Sequence, residues 1–206
     1  MIKAIIFDFG GVFDQQHEAL AGFQEAATRY ALSSEAFYDL LYSGDAWQQA
    51  KLGAMTGRDY WRTIMVSLGH DPGEDVDDFR RTLFQGHVLD RAVVDLARRL
   101  ARRMPLALLS NATDELEALL QEQFRIHDLF AVVVNSARAG VAKPDPRAYR
   151  LALDGLGVAA HEALFIDDKP RNIKAAEALG IPSILYVDAP ELETELVARG
   201  LLDPAP

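Results

Sequence analysis

Four places in the chain combine residue types that could do chemistry together: Asp8, Ser110 with Asn111, Lys143, and the pair Asp167-Asp168. Asp8 closes a short apolar run and is followed by Gly10 and Gly11, which let the backbone turn sharply and approach a ligand closely. Ser110 and Asp167 each close another apolar run, and Lys143 lies in Gly140-Val141-Ala142-Lys143-Pro144-Asp145, just before a helical stretch. Each feature has a bland reading too: Asp-x-Gly-Gly is common turn chemistry, and Ser110 or Asp167-Asp168 could simply cap a helix. Ligands of open α/β sheets bind outside the carboxyl ends of the strands, so all four places are expected at one edge. The chemistry they suit is phosphoryl transfer to a carboxylate. Two or three carboxylates with a backbone carbonyl supply the few hard oxygens that Mg²⁺ takes from a protein. A serine hydroxyl with the following N–H can hold phosphate oxygens. A lysine neutralises the charge gathered by Asp8 and a phosphate, and Asp8 itself is a candidate nucleophile.

These residues must be positioned by the elements around them. Ile2, Ala4, Ile5, Ile6 and Phe7 have the pattern of a strand buried on both faces. Residues 105–109, 131–134, 163–166 and 183–187 read as four more strands. Helical patterns over 93–103, 114–124, 147–156, 170–179 and 191–199 alternate with them. Such alternation predicts an α/β fold, a doubly wound parallel sheet with right-handed crossovers. Residues 15–87 break the rhythm. Apolar residues recur there at helical spacing, as in Leu20, Phe23, Ala27 and Tyr30, and Ser33 or Ser34 and Thr56 stand where helices would begin. No strand pattern occurs in that block, and residues 44–51 read as a short polar segment. The expected organisation is a core of residues 1–14 and 88–206 with an all-helical cap, 15–87, inserted after the first strand; the Asp203–Pro206 tail is expected to fray.

Composition narrows the partners. The 206 residues carry a formal net charge of −10, which argues against nucleic acid or an anionic membrane as a partner. An anionic substrate would need a local cation or a metal. There is no cysteine, hence no disulfide or thiol chemistry, in keeping with a reducing cytoplasm. No secretory leader pattern is read at the N-terminus, and no apolar run approaches the roughly 20 residues that span a bilayer. Oligomeric state is not legible.

Taken in order, FDFGGV, LLSNA, GVAKPDP and FIDDKPRN resemble the four motifs of the haloacid dehalogenase superfamily, specifically its phosphatases with a helical cap inserted after the first motif. The resemblance implies a Rossmann-like core and Mg²⁺-dependent hydrolysis of a small phosphorylated metabolite through an aspartyl-phosphate. It implies Asp8 as nucleophile and metal ligand and the Gly10 carbonyl as a second ligand. Asp168 would be the direct acidic ligand with Asp167 beside it, or the reverse. Ser110 and the Asn111 N–H would bind phosphate, and Lys143 would bridge nucleophile and phosphate. Asn172 stands where many relatives carry another acid.

One departure matters. Many phosphatases of this family have a second Asp two residues after the nucleophile, as general acid and base, and here that position is Gly10. Such help is typically worth about 10² to 10⁴ in rate, so a slower enzyme is expected, or one that borrows an acid from Asp14 or His17. Two competing functions follow: a metal-free 2-haloacid dehalogenase, which Asp167-Asp168 opposes by repelling an anionic substrate, and a non-catalytic phospho-ligand or partner-binding module. Elsewhere Trp47 reads as core, Lys51 as a solvated charge, and Arg98, Arg99, Arg102 and Arg103 as a solvated face at a helix end.

Overall fold

The computed structural model describes residues 1–14, 16–83 and 89–203, with the side chains of 16–22 outside the description. β1 (Ala4–Phe7) is followed by five helices: α1 (Gln16–Arg29), α2 (Ser34–Tyr42), α3 (Asp45–Ala50), α4 (Gly57–Ser67) and α5 (Val76–Leu83). The chain then runs through α6 (Arg91–Ala101), β2 (Leu106–Ser110), α7 (Leu116–Ala118), β3 (Val132–Asn135), α8 (Ser136–Ala139), α9 (Pro146–Leu156), β4 (Ala163–Asp167), α10 (Pro170–Ala178), β5 (Ser183–Leu185) and α11 (Ala189–Ala198).

The strands form one parallel sheet in the order β3-β2-β1-β4-β5. β1 is central because its side chains are apolar on both faces. Ile5 and Phe7 join Leu106, Leu108, Leu164 and Ile166 in a layer covered by α6 and α11. Ile6 joins Ala107, Leu109 and Phe165 in a layer covered by α9 and α10. Burying side chains of this size contributes about 1.5–3 kcal/mol each. Phe7 lies level with Leu108 and Ile166, and the Asp8 N–H donates to the Ile166 carbonyl at 2.9 Å. That register carries Asp8 to the edge beside the ends of β2 and β4.

The helices between β1 and α6 have an apolar cluster of their own around Phe37, Leu41, Tyr60, Ile64 and Met65. Their ends carry the expected caps: Ser33 accepts from the Ala36 N–H, and Thr56 from the Asp59 N–H. The chain leaves and re-enters the core along two adjacent threads. Asp14 and Leu89 form an antiparallel bridge, and the Asp90 N–H donates to the Phe13 carbonyl at 2.7 Å. The expected boundaries at 15 and 87 fall on residues outside the description, as do most of the expected frayed tail and the His17 side chain.

Several expectations need correction. Residues 44–51 are not merely a polar segment, because α3 forms there: Ala50 is fully buried, and the Trp47 ring packs 5.4 Å from Tyr42 and 5.7 Å from Tyr60. The pattern was too short to show a period. The helix expected over 114–124 is only three residues of α-helix, widening into a π-turn over Leu119–Gln123 that keeps Leu116 and Leu120 both buried. The arginine face is only partly solvated. Arg99 pairs with Glu193 and donates to the Asp203 carbonyl, and Arg103 pairs with the Asp203 carboxylate, so both fasten the C-terminal segment to α6. No described helix is long and apolar enough to cross a membrane.

Candidate active site

Asp8, Ser110 and Asp167 stand at or just beyond the carboxyl ends of β1, β2 and β4, three adjacent strands where the sheet order changes direction. All three are buried, as is Lys143. The Lys143 ammonium lies between two carboxylates, 2.8 Å from Asp8 Oδ1 and 2.6 Å from Asp167 Oδ2. Asp8 Oδ1 also accepts from the Phe9 N–H at 2.7 Å.

The two neighbouring acids differ in their partners. Asp167 is fully engaged: besides Lys143, it accepts from the Lys169 N–H at 2.8 Å, and the Asn172 amide donates to both of its oxygens at 2.9 Å. Asp168 Oδ1 is buried and has no hydrogen-bond donor. One ligand oxygen from each of Asp8, Asp167 and Asp168 lies within 4.8 Å of the others. A buried carboxylate oxygen without a partner is costly, and three carboxylates facing one bonded ammonium leave negative charge uncompensated. Hard oxygens in this arrangement fit a divalent cation such as Mg²⁺. Asn172, in the position of the relatives' further acid, thus serves to hold Asp167.

Burial pushes the Asp8 carboxyl up to about 7, with Lys143 pulling against it and the Asp167 charge adding to the rise. Asp168 is raised as well, chiefly by burial, with Lys169 pulling the other way. Burial works against the Lys169 ammonium, yet the charges of Asp168, Tyr38, Asp8 and Asp167 hold its pKa above the ordinary value.

The two glycines after Asp8 have different roles. Gly11 has φ +84°, and a Cβ there would sit 2.3 Å from Asp168 Oδ2, so close approach is required at this position. A Cβ on Gly10 would meet nothing within 4 Å, and Gly10 is not in the left-handed region. The expectation that both glycines serve the turn therefore holds for Gly11 alone.

Asn111 has a role that its assignment as an N–H donor missed. Its side chain donates to the Lys143 carbonyl at 2.9 Å and accepts from the Lys143 N–H at 2.8 Å. This two-bond clasp fixes the backbone from which the Lys143 side chain reaches Asp8. A planar amide with one donor and one acceptor end, placed just past a strand, was the available signal. Lys169 was missed altogether. Lys51 is not a freely solvated charge: it is half-buried, and burial together with the charges of Arg171 and Lys169 pushes its pKa down. Asp14, one of the two candidate substitutes for an acid at position 10, is half-buried where the two threads pair.

Residues 2–180 match the family model described as a haloacid dehalogenase-like hydrolase, and the chain belongs to that family. It is 26% identical over 189 residues to the sesquiterpene phosphatase astK of Aspergillus oryzae, covering 91% of each protein. It is 35% identical over 107 residues to the phosphoglycolate phosphatase of Yersinia pestis, covering 52% of this chain and 46% of that protein. The chain thus spans under half the length of some of the curated relatives it matches. The fold is similar to that of the haloacid dehalogenase family enzyme bt-2542 of Bacteroides thetaiotaomicron, in its complex with magnesium and inorganic phosphate. The TM-score there is 0.72 at 21% identity, over 93% of this chain and 99% of that one.

Proposed function

We propose that this hydrolase cleaves small phosphate monoesters with the help of Mg²⁺, through an aspartyl-phosphate on Asp8. The observation that carries the reading is the Lys143 bridge from Asp8 to Asp167 beside the unpartnered buried oxygen of Asp168. The phosphatase names of several relatives support it. Asp8, the Gly10 carbonyl and Asp168 would hold the ion; Asp167, already saturated by Lys143, Asn172 and the Lys169 N–H, would stand behind them. When bound, Mg²⁺ supplies polarisation and charge compensation at the phosphoryl oxygens. The acids also speak against the dehalogenase alternative, because they would repel a halo-acid carboxylate.

The chain's own residues divide the remaining work. Ser110 and the Asn111 N–H hold the phosphoryl oxygens. The Asp8 carboxylate attacks phosphorus; an oxygen–phosphorus bond forms, and the ester bond breaks with its electron pair passing to the leaving oxygen. Lys143 stabilises charge gathered between Asp8 and the phosphoryl group. Water then attacks the same phosphorus, releasing inorganic phosphate and restoring the carboxylate. Gly10 can neither protonate the leaving oxygen nor deprotonate the water, so turnover leans on substrates that leave easily. The substrate is a small phosphorylated metabolite of the reducing cytoplasm, not nucleic acid.

Phosphate release from an aryl phosphate, measured with and without Mg²⁺ for the wild type and Asp8→Asn, tests this reading. Turnover should require the metal and vanish in Asp8→Asn, since an amide is no nucleophile. Wild-type turnover in Asp8→Asn would overturn the mechanism.

A further inference from the structure

The ladder between β2 and β3 ends where the site begins. The two strands pair as far as Ser110, level with Asn135. Beyond that point side chains take over from backbone. The Ser136 hydroxyl, 1% exposed, accepts from the Ala112 N–H at 3.0 Å and donates to the Ala112 carbonyl at 3.3 Å. The Asn135 amide beside it donates to the Thr113 carbonyl at 2.9 Å. Asn111 makes its own two side-chain bonds to the backbone of Lys143. Asn111, Ala112 and Thr113 are thus each tied to the stretch that begins at the end of β3 and carries Lys143.

Ser136 opens α8, and a serine at a helix start commonly caps it. Here Asn135 does that work, accepting from the Ala137 N–H at 3.0 Å. The Ser136 hydroxyl turns to Ala112 instead. A buried hydroxyl costs free energy unless it is bonded, and an apolar residue would fill the same volume without that demand. Both of its bonds go to the residue directly after Asn111, whose N–H is assigned to the phosphoryl group. Holding the Ala112 N–H fixes the peptide plane that follows Asn111, and the clasp on Lys143 fixes the Asn111 side chain.

We propose that Ser136 is a positioning residue for the phosphoryl group. It acts through Ala112: by holding that backbone it keeps the Asn111 N–H and the Lys143 side chain at one fixed spacing, with the phosphoryl group between them. The assignment rests on the phosphatase reading of the same site. Donors that are already aimed need no rearrangement as charge develops, and a displacement of about 1 Å can cost about 10² in rate.

The experiment compares the wild type, Ser136→Ala and Val132→Ala, with an aryl phosphate as substrate and inorganic phosphate as ligand, both in the presence of Mg²⁺. Val132 lies on β3 with its side chain against Gly155 of α9, so its truncation loosens packing without touching residues 111–113. A loss of folded protein alone lowers the apparent kcat and leaves KM where it was. Ser136→Ala should instead raise the KM for the aryl phosphate and the Kd for inorganic phosphate, each about tenfold, the worth of one hydrogen bond to a charged group. Val132→Ala should raise neither. Unchanged KM and Kd in Ser136→Ala, or the same rise in Val132→Ala, overturns the proposal. If Ser136→Ala does not fold, Ser136→Cys, whose thiol is a weak donor and acceptor, should shift both constants in the same direction by a smaller factor, and unchanged constants overturn the proposal. If the wild type releases no phosphate from the aryl ester, the phosphatase reading fails by itself. Calorimetric titration with inorganic phosphate then decides the positioning role alone: a Kd raised about tenfold by Ser136→Ala upholds it, and equal binding, or none in the wild type, overturns it.

Discussion

Gly11 and Asp168 touch across the site: the place a Cβ would take on Gly11 is 2.3 Å from Asp168 Oδ2. A side chain there must displace Asp168, which has a buried oxygen without a hydrogen-bond donor, and it must also adopt φ +84°. Gly11→Ala should therefore lose about 1–2 kcal/mol of stability from the backbone alone and weaken Mg²⁺ binding. Gly10→Ala, in open space, should change stability by no more than about 0.5 kcal/mol. Urea denaturation of the two variants, followed by Mg²⁺ titration, makes the comparison. Equal losses in both would contradict the division of roles between the glycines.

The open space at Gly10 has a second consequence. With no acid there, the pKa of the leaving group should govern formation of the aspartyl-phosphate, and aryl phosphates should react much faster than alkyl phosphates of similar size. A Cβ at position 10 meets nothing within 4 Å, and Gly10→Asp should accelerate alkyl substrates by about 10² or more, the usual worth of a positioned general acid. A leaving-group series on both proteins reads this out. A flat series in the wild type, with chemistry rate-limiting, would mean that another group already donates the proton, and Asp14→Ala and His17→Ala would be compared next.

Lys143 neutralises two buried carboxylates at once, so its removal does more than delete a contact. Lys143→Met keeps much of the side-chain volume but leaves Asp8 and Asp167 facing each other. The expected loss is about 3–5 kcal/mol, typical of breaking a buried pair from one side, with turnover reduced by several orders of magnitude. Chemical denaturation should show a smaller loss at pH 6 than at pH 8, because the Asp8 carboxyl, pushed up to about 7, is then largely protonated and carries less charge to be left unpaired. A variant as stable as the wild type at pH 8 would contradict the neutralising role of Lys143.

Metal binding should depend on pH in a stated direction. The metal-free Asp8 carboxyl is pushed up to about 7, mainly by burial. Only its carboxylate form can serve as a ligand, so protons compete with the ion below that value and are absent above it. Mg²⁺ affinity should rise between about pH 6 and pH 8, with proton release on binding near neutrality. Calorimetric titration in two buffers of different ionisation enthalpy detects the protons. A pH-independent affinity without proton release would mean that Asp8 is already ionised before the ion arrives.

Much of the site was legible because strand ends are conspicuous. Asp8, Ser110 and Asp167 each follow an apolar run, and a carboxylate or hydroxyl at that point interrupts a pattern. The helical insertion was legible from its 3.6-residue period, and the parallel sheet from the alternation that follows. What stayed hidden depends on contacts between distant residues. The difference between Asp167 and Asp168 comes from Lys143 and Asn172, which donate to the first and leave an oxygen of the second without a donor. The Asn111 clasp on the Lys143 backbone joins two loops that no periodicity relates. Gly10 and Gly11 are the same letter with different backbone angles, and Arg99 looked solvated because its partner Glu193 lies on a helix near the other end of the sequence.

The central place of β1 sets the order in which the molecule can assemble during its synthesis. β1 leaves the ribosome before the other strands of its sheet, and both strands that flank it, β2 and β4, are made only after the helices α1 to α5. Until then its backbone donors and acceptors have no ladder to join, and an unpaired apolar strand is open to pairing with other chains. The helices from α1 to α5, by contrast, share an apolar cluster among their described residues and short-range contacts, which form quickly. The helices are therefore expected to fold while the strand bearing Asp8 waits, and Asp8 can meet Lys143 and Asp167 only after β4 has emerged.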